Sequence, residues 1–212
     1  MKIDRIFYIN LDEHVDRRYE MEYEFDKMDI IPHDQPNPHN KLTYERFSAI
    51  QHDSVGIGRG KSHIGVLKIA KERNYSTVII LEDEFVFTVS KYEFHKQLSY
   101  LDGIYMDACL LSGNLMNYNN STITHDLYRV VDARTTLGYF INCRYNDTLI
   151  NCFQTAIDKL ECTNNHLLYV IDVAWNRLQA TDPWYALKTM IGQKRPARKR
   201  PARSDTFCNI HL

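Results

Sequence analysis

The stretch TVIILEDE (residues 77–84) decides the fold, because a β-branched, apolar run leads directly into three consecutive acids. Five residues from Thr77 to Leu81 have the length and composition of a strand buried on both faces, as in the centre of a parallel sheet. In open α/β sheets, ligands bind outside the carboxyl ends of the strands. The sequence therefore predicts a central strand whose far end, Glu82-Asp83-Glu84, faces a ligand site.

The three acids are a candidate site for a divalent cation. Adjacent carboxylates repel one another, and magnesium or manganese ions take carboxylate oxygens while bridging to phosphates. Along an extended segment Glu82 and Glu84 point one way and Asp83 the other, so all three cannot hold one ion equally. A solvated acidic turn at a strand end is the alternative interpretation.

The segments before this block alternate between strand and helix patterns. The predicted elements are a strand at Ile3–Asn10, a helix at Asp12–Met28, a loop over residues 31–40, a strand at Tyr44–Ile50, a glycine-punctuated connection at Val55–Gly60 and a helix at Ser62–Arg73, with Ser62 as its cap.

The segments after the block continue the alternation. They are a helix at Ser90–Leu101, a strand at Asp107–Leu111, an asparagine-rich loop at Leu115–Thr124, two strands at Leu127–Val131 and Leu137–Ile141, and helices at Asp147–Leu160 and Ile171–Gln179. With 212 residues, one domain is expected. We predict an α/β single domain with a mostly parallel mixed sheet flanked by helices.

Composition bears on location. The sequence contains no apolar run of about 18 residues and no secretory signal pattern at its start. Its five cysteines form no CxxC pair and resemble scattered thiols of a reducing compartment. We expect a cytoplasmic protein without a transmembrane segment, from a bacterium or a virus-infected host cell.

Positive charge is concentrated near the end of the chain. Six basic residues and no acid lie between Gly192 and Arg203, while the rest of the chain carries 20 basic and 27 acidic side chains. We divide the chain into a domain at residues 1–191 and a basic, proline-containing segment at 192–212. That segment reads as a solvated tail, a nucleic-acid patch or a flap over a diphosphate, and its prolines do not favour nucleic acid.

Several of these segments together resemble glycosyltransferase family 25, which includes lipopolysaccharide sugar transferases and collagen hydroxylysine galactosyltransferases. The matching segments, in order, are Ile9-Asn10-Leu11-Asp12, Asp16-Arg17-Arg18, Phe47-Ser48-Ala49-Ile50, Gly60-Lys61-Ser62-His63 and Ile80-Leu81-Glu82-Asp83-Glu84. Looser matches follow at Thr136-Leu137-Gly138-Tyr139, Ile171-Asp172 with Trp175, and Arg203-Ser204-Asp205.

The resemblance implies a GT-A-like fold, a UDP-sugar donor, a divalent ion (manganese favoured, magnesium as the alternative) and inversion at the anomeric carbon. Asp83 and Glu84 become ligands of the metal and diphosphate, and Glu82 becomes structural. Donor binding is assigned to the residues Asn10, Leu11, Arg17, Ser62, His63 and Asp83.

Two further assignments concern catalysis. Asp172 is the candidate catalytic base or an additional metal ligand, although an acid entering a helix is also an ordinary cap-region residue. His211 is a candidate metal ligand if the end of the chain folds back. The sequence departs from the family at Glu84, where aspartate is usual, and at Gln51-His52, which replace a common glycine.

The leading hypothesis is a metal-dependent transferase that moves a hexose, galactose or glucose favoured, from a UDP-sugar to an acceptor hydroxyl. The acceptor class stays open between a glycan, a lipid-linked sugar and a protein hydroxyl. The alternatives are a catalytically impaired nucleotide-sugar or carbohydrate-binding relative in which Glu84 disrupts the chemistry, a metal-dependent hydrolase, and a nucleic-acid-binding protein acting through the basic segment.

Overall fold

The computed structural model describes residues 2–197. The strands of this part are β1 (Arg5–Asn10), β2 (Ile31–Pro32), β3 (Thr43–Ser48), β4 (Thr77–Glu82), β5 (Phe85–Phe87), β6 (Ala108–Asn120), β7 (Leu127–Asn142), β8 (Trp184–Leu187) and β9 (Gly192–Lys194). The α-helices are α1 (Val15–Lys27), α2 (Val55–Glu72), α3 (Lys91–Ser99), α4 (Asn146–Thr163), α5 (His166–Tyr169), α6 (Ile171–Ala174) and α7 (Asn176–Thr181).

Seven strands form one sheet in the order β2-β3-β1-β4-β7-β6-β8. The pairs β2–β3, β3–β1, β1–β4 and β6–β8 are parallel, and only β7 runs antiparallel to its neighbours β4, β6 and β8. The predicted α/β class with a mostly parallel mixed sheet is therefore confirmed. The predicted loop at residues 31–40 is correct except at its start, where Ile31–Pro32 pair with β3.

Both faces of the sheet are covered, which explains the uninterrupted apolar runs of its central strands. Alternate residues of β4 enter two different cores. Val78 and Ile80 pack with α2, α4 and α6, whereas Ile79 and Leu81 pack with α1, α3 and β5. All four side chains are essentially inaccessible to solvent, as the two-residue period of a strand between two helical layers requires.

Neighbouring parallel strands end at the same edge of the sheet. Ile9 of β1 lies opposite Glu82 of β4, and Asn10 lies opposite Ser48 of β3. The chain leaves all three strands at this edge, so their following turns are brought together, as expected for an open α/β sheet.

The predicted connection at Val55–Gly60 is wrong, because α2 begins at Val55 and continues to Glu72. Its glycines provide room for close packing rather than for turns. A Cβ on Gly58 would lie 2.7 Å from the carbonyl oxygen of Ile50, and one on Gly60 would lie 2.9 Å from Cδ1 of Ile157. Helical propensity alone disfavours glycine here, but tertiary packing overrides it.

Ser62 is consequently not a helix cap. It lies inside α2, where its Oγ donates a 2.7 Å hydrogen bond to the Gly58 carbonyl and accepts a 2.8 Å bond from the Ile50 amide. The side chain thus holds the segment after β3 against the helix.

The predicted loop at Leu115–Thr124 is also wrong, because β6 continues to Asn120. The two predicted strands at Leu127–Val131 and Leu137–Ile141 are one strand, β7. Its ladder with β6 shifts register several times. The outer part of β6 is solvent-exposed on both faces, so its polar residues can pair through their backbones without an apolar pattern.

The predicted helix at Ile171–Gln179 is interrupted at Trp175, which separates α6 from α7. This indole is fully buried, and its Nε1 donates a 3.2 Å hydrogen bond to the Ala133 carbonyl.

Further along, β9 pairs with β5 in a separate two-stranded sheet. Gly192–Lys194 thus lie beyond the predicted domain end at residue 191, and that boundary stays a prediction.

The sequence predicted unpaired cysteines and no transmembrane segment. Cys109, Cys143, Cys152 and Cys162 are all free thiols. Within residues 2–197, no helix combines the length and the apolarity that crossing a bilayer requires.

We predict that Gly58→Ala lowers the free energy of unfolding by about 1–2 kcal/mol. The added Cβ would press on the backbone carbonyl of Ile50, and overpacking of about 1–3 kcal/mol exceeds a gain in helix propensity of about 1 kcal/mol. Urea unfolding measures the difference. Gly56→Ala is the matched control, because its nearest neighbours are side-chain atoms at 3.2 Å or more. A Gly58→Ala protein as stable as this control would contradict the prediction.

Candidate functional site

A cavity of about 500 Å³ opens at the edge of the sheet where β1, β3 and β4 end. Its walls come from the turns after these strands and from the first turns of α1 and α2. The lining residues are Ile9, Leu11, Glu13, His14, Arg17, Ala49, Ile50, Gln51, His52, Val55, Gly58, Arg59, Ser62, His63, Glu82, Asp83 and Glu84. The size is within the range of about 300–1,000 Å³ usual for small-molecule sites.

Asp83 is held rigidly at the floor of this cavity and is 8% exposed. Its Oδ2 accepts a 2.8 Å hydrogen bond from Nδ2 of the buried Asn10. Asn10 is fixed in turn, since Nδ2 also donates to the His14 carbonyl at 3.1 Å and Oδ1 accepts from Nε of Arg46 at 3.0 Å. Asn10 therefore stands behind Asp83 and orients its carboxylate.

Glu84 shares cationic partners with Asp83. A terminal guanidinium nitrogen of Arg17 lies 3.4 Å from Oδ1 of Asp83 and 3.5 Å from Oε1 of Glu84. The other Glu84 oxygen, Oε2, is 2.8 Å from Nζ of Lys194. Nδ1 of His14 is also 3.8 Å from Oδ2 of Asp83. Arg17 and Lys194 thus bring two positive charges to the acid pair.

Glu82 belongs to a separate network on the α2 side of the cavity. Its Oε1 accepts from the hydroxyl of Thr136 and lies 3.4 Å from Nε2 of His63 and 3.6 Å from Nε of Arg59. Burial alone raises the pKa of Glu82, but the contacts with His63, Arg59 and Thr136 outweigh it and lower the pKa to about 2. Glu82 is therefore ionised and held in place by these contacts.

His63 is completely buried beside this carboxylate, and Nδ1 lies 2.9 Å from the Tyr139 hydroxyl. Burial and the nearby Glu82 raise the pKa of Tyr139 well above its ordinary value, so the phenol keeps its proton. The other ring nitrogen, Nε2, is buried 3.4 Å from Oε1 of Glu82 and makes no hydrogen bond. His63 therefore packs between Tyr139 and Glu82 at the floor of the cavity.

The residues predicted for donor and metal binding largely converge. Leu11, Arg17, Ser62, His63, Asp83 and Glu84 line the cavity, and Asn10 lies behind it. Asp172 is on α6, outside the lining, although the adjacent Ile171 contacts α2 at Gly60. His211 lies outside the described residues, as do the Arg203–Asp205 match and the basic residues after position 197.

Sequence reasoning gave no individual role to three residues of the site, Arg59, His14 and Lys194. Arg59 was not assigned to the site because residues 55–60 were predicted to be a connection between elements. In the structure Arg59 lies in α2, and its guanidinium is 3.6 Å from Glu82. His14 precedes α1 and gave no distinctive pattern. Lys194 was grouped with the basic run, and only the β5–β9 pairing places it beside Glu84.

The carboxylates of Asp83 and Glu84 are the candidate ligands for the predicted divalent ion. Among residues 2–197 no three His, Cys, Asp or Glu side chains converge as metal ligands. Asp83 and Glu84 supply two neighbouring carboxylates on the cavity wall, and magnesium-type ions are commonly held by one or two carboxylates together with substrate phosphates and water. His14 is the nearest further candidate.

The fold is similar to that of two solved glycosyltransferases. One is a glycosyltransferase involved in the glycosylation of the major capsid of PBCV-1, with 7% identity, a TM-score of 0.56, and coverage of 92% of this chain and 93% of that chain. The other is the apo-form glycosyltransferase GlyE of Streptococcus pneumoniae TIGR4, with 10% identity, a TM-score of 0.51, and coverage of 96% and 57%. This chain thus spans little more than half of GlyE.

At these identities the likeness shows the glycosyltransferase fold. No protein-family model and no curated protein sequence matches the chain.

We predict that Glu82→Gln flattens the acid dependence of stability. Because the folded pKa of Glu82 is lowered from 4.5 to about 2, its contribution is complete above pH 4.5 and is lost as the pH falls through 2. Between pH 6 and pH 3 the native protein should lose about 2 kcal/mol more unfolding free energy than the variant.

Urea unfolding at both pH values provides the measurement. Glu161→Gln serves as the control, since this exposed acid forms an ion pair with Lys61 at the surface. Equal losses in the native protein and Glu82→Gln would show that the network does not hold Glu82 ionised.

Proposed function

We propose that this chain is a family 25-like glycosyltransferase that moves a hexose, galactose or glucose favoured, from a UDP-sugar to an acceptor hydroxyl with inversion. The observation that carries the proposal is the buried, oriented carboxylate of Asp83 beside Glu84 and Arg17, at the ligand-binding edge of a glycosyltransferase fold. A diphosphate leaving group calls for positive charge at one place, which Arg17 and a cation held by Asp83 and Glu84 would supply at this edge.

The cavity has an apolar part that suits a nucleobase and a charged part that suits a diphosphate. Ile9, Leu11, Ala49, Ile50 and Val55 offer apolar surface on the side formed by the ends of β1 and β3, which suits a flat base. Arg17, Asp83 and Glu84 lie at the start of α1 and just after β4, and Arg59 lies on α2. We propose that the base enters between the apolar residues and that the diphosphate faces Asp83 and Glu84.

Asp83 and Glu84 would hold a manganese or magnesium ion, which would neutralise negative charge developing on the departing diphosphate. The chain's own contribution is orientation. Asn10 fixes the Asp83 carboxylate through a buried hydrogen bond, and Arg17 presents a guanidinium to the same space. Arginine forms paired hydrogen bonds with phosphate oxygens, so Arg17 suits a diphosphate ligand.

Inversion also needs a base that removes the proton of the acceptor hydroxyl. Asp172 remains our proposed base, although it lies on α6 outside the cavity lining. Glu13 and His14 already line the cavity and are the competing candidates. The acceptor is proposed as a glycan, a lipid-linked sugar or a protein hydroxyl.

A nucleotide-sugar-binding relative without turnover is the second candidate function. It is favoured by one observation, the close ion pair of Glu84 with Lys194. If that pair persists with donor bound, Glu84 cannot serve as a metal ligand.

We predict that UDP release from one UDP-sugar requires manganese or magnesium and falls at least about 100-fold in Asp83→Ala. The assay compares a panel of UDP-sugars with manganese, magnesium or EDTA. Asp158→Asn is the control, because this exposed α4 acid accepts a hydrogen bond from Gln154 and lies outside the cavity lining. Calorimetric titration with UDP distinguishes lost binding from lost turnover.

UDP binding without turnover of any donor would favour the binding-protein alternative. Full activity in EDTA would remove the metal from the mechanism, and absence of any UDP or UDP-sugar binding would refute the transferase.

A further inference from the structure

We propose that Arg17 and Lys194 are built-in counter-ions that make divalent-metal binding depend on the nucleotide diphosphate. In the free protein they neutralise Asp83 and Glu84 and thereby weaken metal binding. When the donor enters, their charge is taken up by the diphosphate, and the carboxylates become available. This inference rests on the proposed function, because it concerns the same donor site.

Arg17 is placed to act on both carboxylates at once. One terminal nitrogen lies within 3.5 Å of an oxygen from each acid. Its side chain is 38% exposed, so it is not locked in the protein interior. An arginine in this position competes directly with a divalent ion for the same oxygens.

Lys194 reaches the site from the far end of the described chain. β9 places it opposite Phe85 in the β5–β9 ladder, and the amide of Arg195 donates a 2.7 Å hydrogen bond to the Glu84 carbonyl. These backbone contacts fix the strand, whereas the Lys194 side chain is 65% exposed. The ammonium can therefore leave Glu84 while the backbone stays in place.

The space around Arg17 allows such a movement. A second cavity of about 280 Å³ lies on the other side of Arg17, and Asp83 and Glu84 line both cavities. Arg195 lines this second cavity as well. The guanidinium therefore has room on both sides of the acid pair.

Charge balance gives the coupling its direction. Two carboxylates and two cations form a neutral group in the free protein, so an added divalent ion meets repulsion from Arg17 and Lys194. The diphosphate of a UDP-sugar carries two negative charges, so a divalent ion and a diphosphate that bind together leave the net charge of the site at zero. Arg59 does not share in this exchange, because it pairs with Glu82 in the separate network.

Linkage makes the effect measurable from either side, since nucleotide must raise metal affinity by the factor by which metal raises nucleotide affinity. In calorimetric titrations of the full chain, we expect manganese alone to bind weakly and saturating UDP to strengthen its binding by about 10-fold or more. Lys194→Gln should strengthen binding of manganese alone by about 10-fold and reduce the enhancement by UDP to a similar extent.

Lys188→Gln is the matched control, because this lysine lies over the Tyr128 ring, away from the acid turn. Arg17→Gln provides a second variant with the same expected direction, and Asp83→Ala identifies the manganese signal that belongs to this site. Thermal unfolding of each variant confirms that it is folded.

The outcomes separate the inference from the function on which it rests. If UDP and manganese bind but neither Lys194→Gln nor Arg17→Gln changes the affinity for manganese alone, the counter-ion role is overturned and the transferase proposal stands. Weaker manganese binding in both variants would also overturn it, since the cations would then support the acid turn. Failure of the wild-type protein to bind UDP under any condition would refute both.

Discussion

The hydrogen bond between Asn10 and Asp83 is the contact on which the site depends. It joins the ends of two adjacent parallel strands just where their backbone ladder stops, after the Asp83 amide has donated to the Ile9 carbonyl at 3.1 Å. An acid directly after a strand is ordinarily free to turn toward water. Here a buried amide holds it at the cavity floor, so the sheet itself sets the position of the carboxylate.

The three acids at the end of β4 point into two different environments, Glu82 toward α2 and the pair Asp83 and Glu84 toward Arg17. Glu82 still belongs to β4 and is directed to α2, where His63 and Thr136 anchor it. The chain turns after it, so Glu84 joins Asp83 on the side of Arg17. The two-residue alternation of an extended segment would have grouped Glu82 with Glu84. That expectation fails because alternation ends with the strand.

The fold was predictable from local pattern, and the site only in part. The apolar run from Thr77 to Leu81 indicated a central strand with a ligand site at its end, but the hydrogen bond of Asn10 to Asp83 was not predicted. The start of α2 was predicted wrongly because Gly58 and Gly60 serve contacts with distant segments and not turns. The outer part of β6 was predicted as a loop because backbone pairing in an exposed ladder leaves no apolar pattern in the sequence. The approach of Lys194 to Glu84 has no local signal at all.

The β5–β9 sheet determines how late in synthesis and folding the acidic turn can acquire Lys194. Phe85 pairs with Lys194, and Gly192 is packed so closely on the Phe85 ring that an added Cβ would lie 2.0 Å from it. During synthesis the acidic turn leaves the ribosome long before its partner strand, and domains generally fold as units from the N-terminal end. The carboxylates therefore spend that interval without Lys194. Closing a loop of this length is among the slower folding events, so the charge-balanced site is completed last.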